Sequence, residues 1–280
     1  GKAEGARFTA RFRSPEQITP TAAQYFDLLF LPLGQEHPHF VPPSRRGVVI
    51  PPVVFDREAF AVESTLVNVL LDGIRHVMVG NVGHLSLARG AAETADVPKE
   101  ELRIHGDLRL NAANSLSSAW LLSLGMEDLI LAPELTVPRM QDVSASLAKI
   151  GYPRAAGAVV YGRLPLMLLE KCAIREIYRG LRNVDVCHEI CRRDKAAMKD
   201  RLGKSFPVLR EDSPRGLGHR NVVYNSLPIG MSDRKQELTR ACLGQHHFVF
   251  SVEAPEEVDR GIASYQSGRP LDGEIRRMVK

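Results

Sequence analysis

DLILAPELTVPRMQDVSASLAKIGYPRAAGAVVYGR, residues 128–163, holds the pattern that decides the fold. Within the strand expected at 128–132, residues 129–132 form an unbroken apolar run behind Asp128, which reads as a buried strand. Glu134 stands just past it, and residues 137–150 then space their apolar side chains as a helix does. A second apolar run, 156–161, ends at Tyr161 with Arg163 just beyond. Strand, helix and strand in this succession are the repeating unit of a sheet with helices packed on it.

Working outward, comparable strands are expected at 8–13, 26–33, 47–54, 76–80 and 102–110, and a last one at 247–252. Ser14-Pro15-Glu16-Gln17 starts a short helix, Asp56 caps one running to 75, and 115–124 is helical with Gly125 closing it. The loop at 34–46 carries His37 and His39, but Pro38 between them favours a rigid exposed loop over a metal site. The expected class is α/β, a TIM-like (β/α) barrel with irregularity in its first half. Residues 1–167 make the barrel part, 168–245 a cysteine-bearing lobe, and 246–280 the last strand and C-terminal helix that complete the barrel.

Barrels of this kind put their chemistry just past the C-terminal ends of the strands. The candidates there are Asn81, His84, His105, Asp107, Arg109, Asn111, Glu134, Tyr161, Arg163 and Glu253, expected to converge on one mouth. His105 and Asp107 alternate with Ile104 and Leu108, so they share one strand face, where a carboxylate can fix a histidine tautomer for acid–base work. Glu134 and Arg163 follow successive strands and are expected to pair and orient a carboxylate or phosphate. His105, Asp107, Glu134 and Arg163 are therefore the catalytic candidates, and Asn81, His84, Arg109, Tyr161 and Asn225 the substrate-binding ones.

Composition narrows the partners. Four cysteines in 280 residues do not make a disulfide scaffold, and no apolar run is long enough to span a membrane. A cytoplasmic protein with reduced thiols is the expectation. A net charge of +4 permits a polyanionic partner, while 6% aromatic residues advertise no base-stacking platform. Residues 1–6 read as a cut in a linker, so an upstream part of the same polypeptide is an expected partner. Cys172, Cys187 and Cys191 crowd one stretch, and Cys187 and Cys191 are spaced to share one side of a helical turn. Grouped reduced thiols are metal ligands, nucleophiles or inert core, and spacing alone leaves these open.

An ordered set of motifs adds to this. It runs from Ile104-His105-Gly106-Asp107 with Asn114-Ser115, through Ala132-Pro133-Glu134-Leu135, to Tyr161-Gly162-Arg163 with Pro165-Leu166-Met167. Cys172, the Cys187/Cys191 pair, Asp200-Arg201 with Gly203, Phe206-Pro207-Val208, and Asn225-Ser226 with Pro228 continue it. In this order they resemble the U-32 family of collagenase-like peptidases over roughly residues 100–235. The resemblance implies a barrel-like fold and an iron–sulfur cluster, 4Fe-4S in type, on four cysteines. Despite the peptidase name, it also implies kinship with oxygen-independent hydroxylation factors for RNA bases or a quinone precursor. Cys172, Cys187 and Cys191 match three ligands, but His219 stands where the family carries its fourth cysteine. Position favours His219 as the fourth ligand, and the softness of iron–sulfur iron favours Cys242.

The expected function is thus an iron–sulfur-dependent enzyme, or enzyme subunit, hydroxylating RNA bases or a related small substrate. The alternatives are a collagenase-like hydrolase cleaving peptides and a non-catalytic barrel domain of a longer chain. The sequence contains neither His-Glu-x-x-His nor Gly-x-Ser-x-Gly, and shows no nucleophile with a base beside it.

Overall fold

The computed structural model describes residues 5–176, 191, 196–212 and 219–271. Its elements alternate as the apolar runs require. β1 (Arg7–Arg11), α1 (Pro20–Tyr25), β2 (Leu28–Pro32), β3 (Arg46–Val49), α2 (Asp56–Leu71) and β4 (His76–Val79) make the first half. α3 (His84–Thr94), β5 (Arg103–Gly106), α4 (Ser115–Ser123), β6 (Asp128–Ile130), α5 (Val137–Lys149) and β7 (Ala156–Gly162) follow. β8 (Pro165–Leu169), β9 (Ala196–Lys199), β10 (Ser205–Asp212) and β11 (His219–Tyr224) come next. β12 (Ile229–Gly230), α6 (Lys235–Arg240), β13 (Gln245–Val249) and α7 (Pro255–Ser267) close the described chain.

Strands β1 to β7 and β13 pair in parallel, and β6 pairs with β7, so eight strands close into a TIM-like barrel. The last strand enters between β7 and β1, with β13 in register Gln245↔Gly157 on one side and Gln245↔Arg7 on the other. Gly162 ends β7 at φ +128, and a Cβ there would stand 2.0 Å from the Val249 carbonyl oxygen, so only glycine allows this approach. β12 adds one antiparallel pairing to the edge of β7.

Alternation along β1 divides two kinds of core. Phe8 and Phe12 turn outward and join Tyr25, Phe26, Phe248, Phe250 and Tyr265 in a shell of edge-to-face and stacked rings. This shell fastens α1 and α7 over the seam between the first and last strands, and each buried ring contributes about 1.5–3 kcal/mol. Arg7, Thr9 and Arg11 turn into the lumen, which is polar for a barrel of this type. Thr9, Asp107, Asp128, His105, Gln245 and His247 are all at most 1% exposed.

Between β7 and β13 the chain leaves the barrel. β8, β11, β10 and β9 form a separate antiparallel sheet in that order. Its β10 lies against the C-terminal end of the barrel, where Arg11 donates to Glu211 at 3.0 Å. Its β11 is fastened to the start of α2 by Arg220 and Glu58. The small sheet thus lies over the barrel mouth.

Several local readings shift. The strand expected at 102–110 ends at Gly106, because Asp107 opens a 3-10 turn, Leu108–Leu110, that closes on Asn111 in the left-handed region. His84 begins helix α3 instead of standing in a loop. His37 is buried, its Nε2 3.0 Å from the Leu29 carbonyl oxygen, so it is a packed histidine of the 34–46 segment. Among the described residues no helix is long and apolar enough to cross a membrane.

Candidate functional site at the barrel mouth

Parity on β1 sends Arg11 into the top of the lumen, and the end of β5 delivers Asp107 beside it. Arg11 Nη1 donates to Asp107 Oδ2 at 3.4 Å and Nη2 to Glu211 Oε1 at 3.0 Å. Arg109 Nη1 donates to Asp107 Oδ2 at 3.1 Å, and its Nη2 lies 3.7 Å from Glu211 Oε1. Two guanidinium groups and two carboxylates therefore alternate in a closed ring. Burial works against the Arg11 charge, but Glu211 and Asp107 outweigh it and hold its pKa above the usual value. Gly80 makes room for the ring, since a Cβ there would lie 3.3 Å from Arg109 carbons. His84 stands near this ring; burial first, then Arg109, push its pKa down to about 4, so it is neutral at pH 7.

Next to the ring is a cavity of about 440 Å³, lined by Arg11, Arg13, Glu16, Cys191, Arg210, Glu211 and Tyr224 among others. Tyr224 is 6% exposed, and burial, with Glu211 second, raises its phenol pKa, so it faces the cavity as a neutral hydroxyl. Glu253, past the end of β13, is also held above the usual carboxylate range by burial, while its carboxylate accepts from the Ser251 amide at 2.6 Å.

The catalytic candidates do not gather as expected. His105 points into the lumen below the mouth, and its carboxylate partner is Asp128, at 2.8 Å from Nδ1, and not Asp107. Parallel register brings Asp128 of β6 directly opposite His105, whereas Asp107, past the end of β5, turns to Arg11 and Arg109. The chain continues from His105 Nε2 to His76 Nδ1 at 2.9 Å, and Asp128 also meets Arg7. Burial would raise the Asp128 pKa, yet His105 and Arg7 reverse this and hold it low. Because Asp128 accepts, His105 carries a proton on Nδ1, and its Nε2 shares the second hydrogen bond with His76 Nδ1. His247 lies in the same lumen, its Nδ1 2.7 Å from Thr9 Oγ1, with burial lowering its pKa to about 4.

Glu134 is exposed and no ion pair joins it to Arg163 among the described residues. Arg163 instead donates to the carbonyl oxygens of Asn225 and Ser226, which ties the end of β7 to the end of β11. Asn225 is buried there, its backbone N–H donating to the Leu164 carbonyl oxygen at 2.9 Å. Tyr161 does not line the mouth. The register shift between β7 and β13 turns its ring outward, 5.5 Å from Phe250. Asn81 is exposed and accepts from the Gly83 amide at 2.8 Å. Arg11, Glu211, Arg13, Tyr224 and Asp128 were not singled out by motif. Strict alternation of Arg7, Thr9 and Arg11 was the available signal for the first of them, whereas Glu211 reaches the ring only through the fold.

Cys172 and Cys191 pack against the same small apolar cluster, Val208 and Val223 of the small sheet with Ile174. The Cys172 sulfur accepts from the Arg175 amide at 3.4 Å, and Cys191 also lines the mouth cavity. Cys187 lies outside the described residues, and the His219 backbone opens β11 opposite Asp212. Cys242 stands at the other end of the barrel, exposed, in the turn before β13, where its carbonyl accepts from Ser144 on α5. Geometry therefore separates Cys242 from Cys172 and Cys191. Among the described residues no three His, Cys, Asp or Glu side chains form a metal-binding group. Cys172 and Cys191 thus supply two soft donors on one apolar patch, of the thiolate type that iron–sulfur irons prefer, while Cys187 and the His219 side chain lie outside what is described.

The chain is thus a closed (β/α) barrel with a polar, arginine-lined mouth under an inserted antiparallel sheet. Residues 48–253 match the model of peptidase family U32, and the chain belongs to that family. The solved U32 peptidase Mk0906 is similar at 7% identity and a TM-score of 0.43, covering 89% of this chain and 94% of that one. The spore cortex-lytic enzyme SleL of Bacillus megaterium QM B1551 is similar at 11% identity and a TM-score of 0.41, covering 93% of this chain and 74% of that one. No curated protein matches the sequence.

Proposed function

We propose that this chain is an iron–sulfur-dependent enzyme, or a subunit of one, that hydroxylates RNA bases or a related small substrate in the mouth cavity. The observation that carries the reading is the convergence of Cys172 and Cys191 on one apolar patch, with Cys191 reaching the cavity wall. Cys172, Cys187, Cys191 and His219 would hold the cluster, which supplies electron transfer when bound. The chain's own residues shape the site around it. Arg13 offers a cation and Tyr224 a neutral hydroxyl to the substrate, while the ring of Arg11, Asp107, Arg109 and Glu211 fixes the cavity wall. His84 and Glu253 are the groups placed to hold or move protons at the strand ends.

Hydrolysis of peptides has less support. Among the described residues the hydroxyl–histidine pair of nucleophile type is Thr9 with His247, and both are fully buried in the lumen, out of reach of a polypeptide.

The test is iron and acid-labile sulfide per chain after anaerobic reconstitution, with the absorbance spectrum. Cys172→Ser and Cys191→Ser each lose the cluster, and Cys242→Ser keeps it. A folded wild-type protein that takes up no iron refutes the reading.

A further inference from the structure

Three members of the mouth ring belong to the barrel and the fourth does not. Arg11 ends β1, Asp107 and Arg109 follow β5, and Glu211 comes from β10 of the small sheet. In the β10–β11 register Glu211 stands opposite Arg220, so both lie on the sheet face turned to the barrel. Glu211 is also the poorest fit in the ring. One oxygen, Oε1, serves both guanidinium groups, at 3.0 Å from Arg11 and 3.7 Å from Arg109, while Oε2 is buried without a hydrogen-bond partner. A free carboxylate or phosphate presents separate oxygens to guanidinium donors, and a buried acceptor left without a donor is costly. Glu211, fixed to β10, does not reach that arrangement.

The barrel half of the site stands without Glu211. Asp107 is 0% exposed and accepts from both Arg11 and Arg109, so it holds the two guanidinium groups side by side. Two largely buried cations against one carboxylate leave a place for one negative charge, since an unpaired buried charge is costly. The place borders the mouth cavity of about 440 Å³, where Arg13 adds a further cation and Glu16 is hydrogen-bonded to Ser14. The sheet can give way there without opening the barrel's core. No described residue of β8 to β11 belongs to the barrel's main apolar cluster, and Val208 and Val223 belong to a separate one. Arg220 and Arg163 hold the β11 side, and Glu211 lies beyond them on β10. We infer that Glu211 is a built-in stand-in for an acid group: a ligand carrying a carboxylate or phosphate displaces it from Arg11 and Arg109, and the β10 side of the sheet withdraws as it does so. The inference rests on the functional reading above only for the place of the substrate, and it needs no metal.

The test uses the metal-free full chain at constant ionic strength, with inorganic phosphate and a short single-stranded oligoribonucleotide as probes. Calorimetry should show Glu211→Gln binding phosphate about tenfold more tightly than wild type, the worth of one charge-assisted hydrogen bond that no longer has to be displaced. Adding Arg109→Gln to that variant should remove the gain, which separates the ring from Arg13. A tenfold gain for the oligoribonucleotide as well assigns the acid group to a nucleic-acid backbone, and a gain for phosphate alone assigns it to a small molecule. In wild type, labelling of Glu211 by a carbodiimide and an amine should rise as phosphate saturates, with Glu58 labelling unchanged; this measurement decides where the glutamine variant does not fold. Unchanged phosphate affinity in folded Glu211→Gln, a gain that survives Arg109→Gln, or Glu211 labelling that stays flat or falls with phosphate overturns the stand-in role and leaves the cluster reading standing. A chain that passes these tests yet takes up no iron keeps the stand-in role and overturns the cluster.

Discussion

Replacing Arg220 by methionine tests how the small sheet is held over the barrel mouth. Arg220 Nη2 lies 3.0 and 3.1 Å from the two Glu58 oxygens, and its Nε donates to Glu170 at 2.6 Å. Its guanidinium also sits 4.9 Å from the centre of the Phe55 ring. The Arg220 and Glu58 side chains are 7% and 4% exposed, while Glu170 is 53% exposed. Screening limits the Glu170 contact to about 1 kcal/mol or less. Removing one partner of a buried ion pair costs about 3–5 kcal/mol. Glu58 keeps one partner, the Phe55 amide at 3.0 Å, which places the expected cost near the lower end, about 3 kcal/mol. That is about a hundredfold shift of the docking equilibrium of the sheet. Hydrogen exchange read by mass spectrometry should show faster exchange in peptides from β8, β10 and β11, with β4 and β5 unchanged. Adding Glu58→Gln to Arg220→Met removes the abandoned charge and should restore much of the protection. Unchanged exchange in the single variant, or a double variant as weak as the single, would refute the view that this buried pair holds the sheet down.

Other outcomes follow from the same geometry. His247 is buried and held at about 4 against 6.5 in the unfolded chain, so the unfolded state takes up its proton first. Stability is then full above pH 6.5 and falls as pH drops toward 4, by up to about 3 kcal/mol for this residue at about 1.36 kcal/mol per pH unit. Urea titrations at pH 7 and pH 5 should show about 2 kcal/mol of this loss, and it should shrink in His247→Gln; an equal loss in that variant would assign the acid sensitivity elsewhere. Gly162→Ala places a Cβ against the Val249 carbonyl and forces a positive φ on alanine, so it should lower the melting temperature sharply or prevent folding. A melting curve like wild type would contradict that close approach. Arg13→Gln, which alters the cavity wall at a half-buried side chain, should leave stability within about 0.5 kcal/mol, and under the proposed function it should weaken substrate capture, read as a rise in KM.

The barrel was legible because each of its strands announces itself locally. The apolar runs 28–31, 129–132 and 156–161 are buried on both sides, and burial on both sides leaves no polar alternation to confuse the reading. Helix α4 was legible for the same reason of locality: Asn114 accepts from the Ser117 amide at 2.9 Å, and Gly125 turns the chain at φ +91. Helix α3 was harder, since His84–Thr94 is rich in small residues and its apolar face is mostly alanine. The grouping of Cys172 with Cys191 was open to the sequence as a possibility, and their shared apolar patch required the small sheet to form.

What tertiary structure alone decided is which charges meet. His105 takes Asp128 because parallel register sets β5 against β6, and spacing within one strand carries no information about that register. Tyr161 turns outward because one register shift reverses the parity of everything after it. Arg11 meets Glu211 although 200 positions separate them, because the small sheet folds back over the mouth. The sequence by itself determined where the strands and caps lie, since those depend on neighbours a few residues away. The site depends on contacts between distant segments, and only the closed barrel with its inserted sheet brings those segments together.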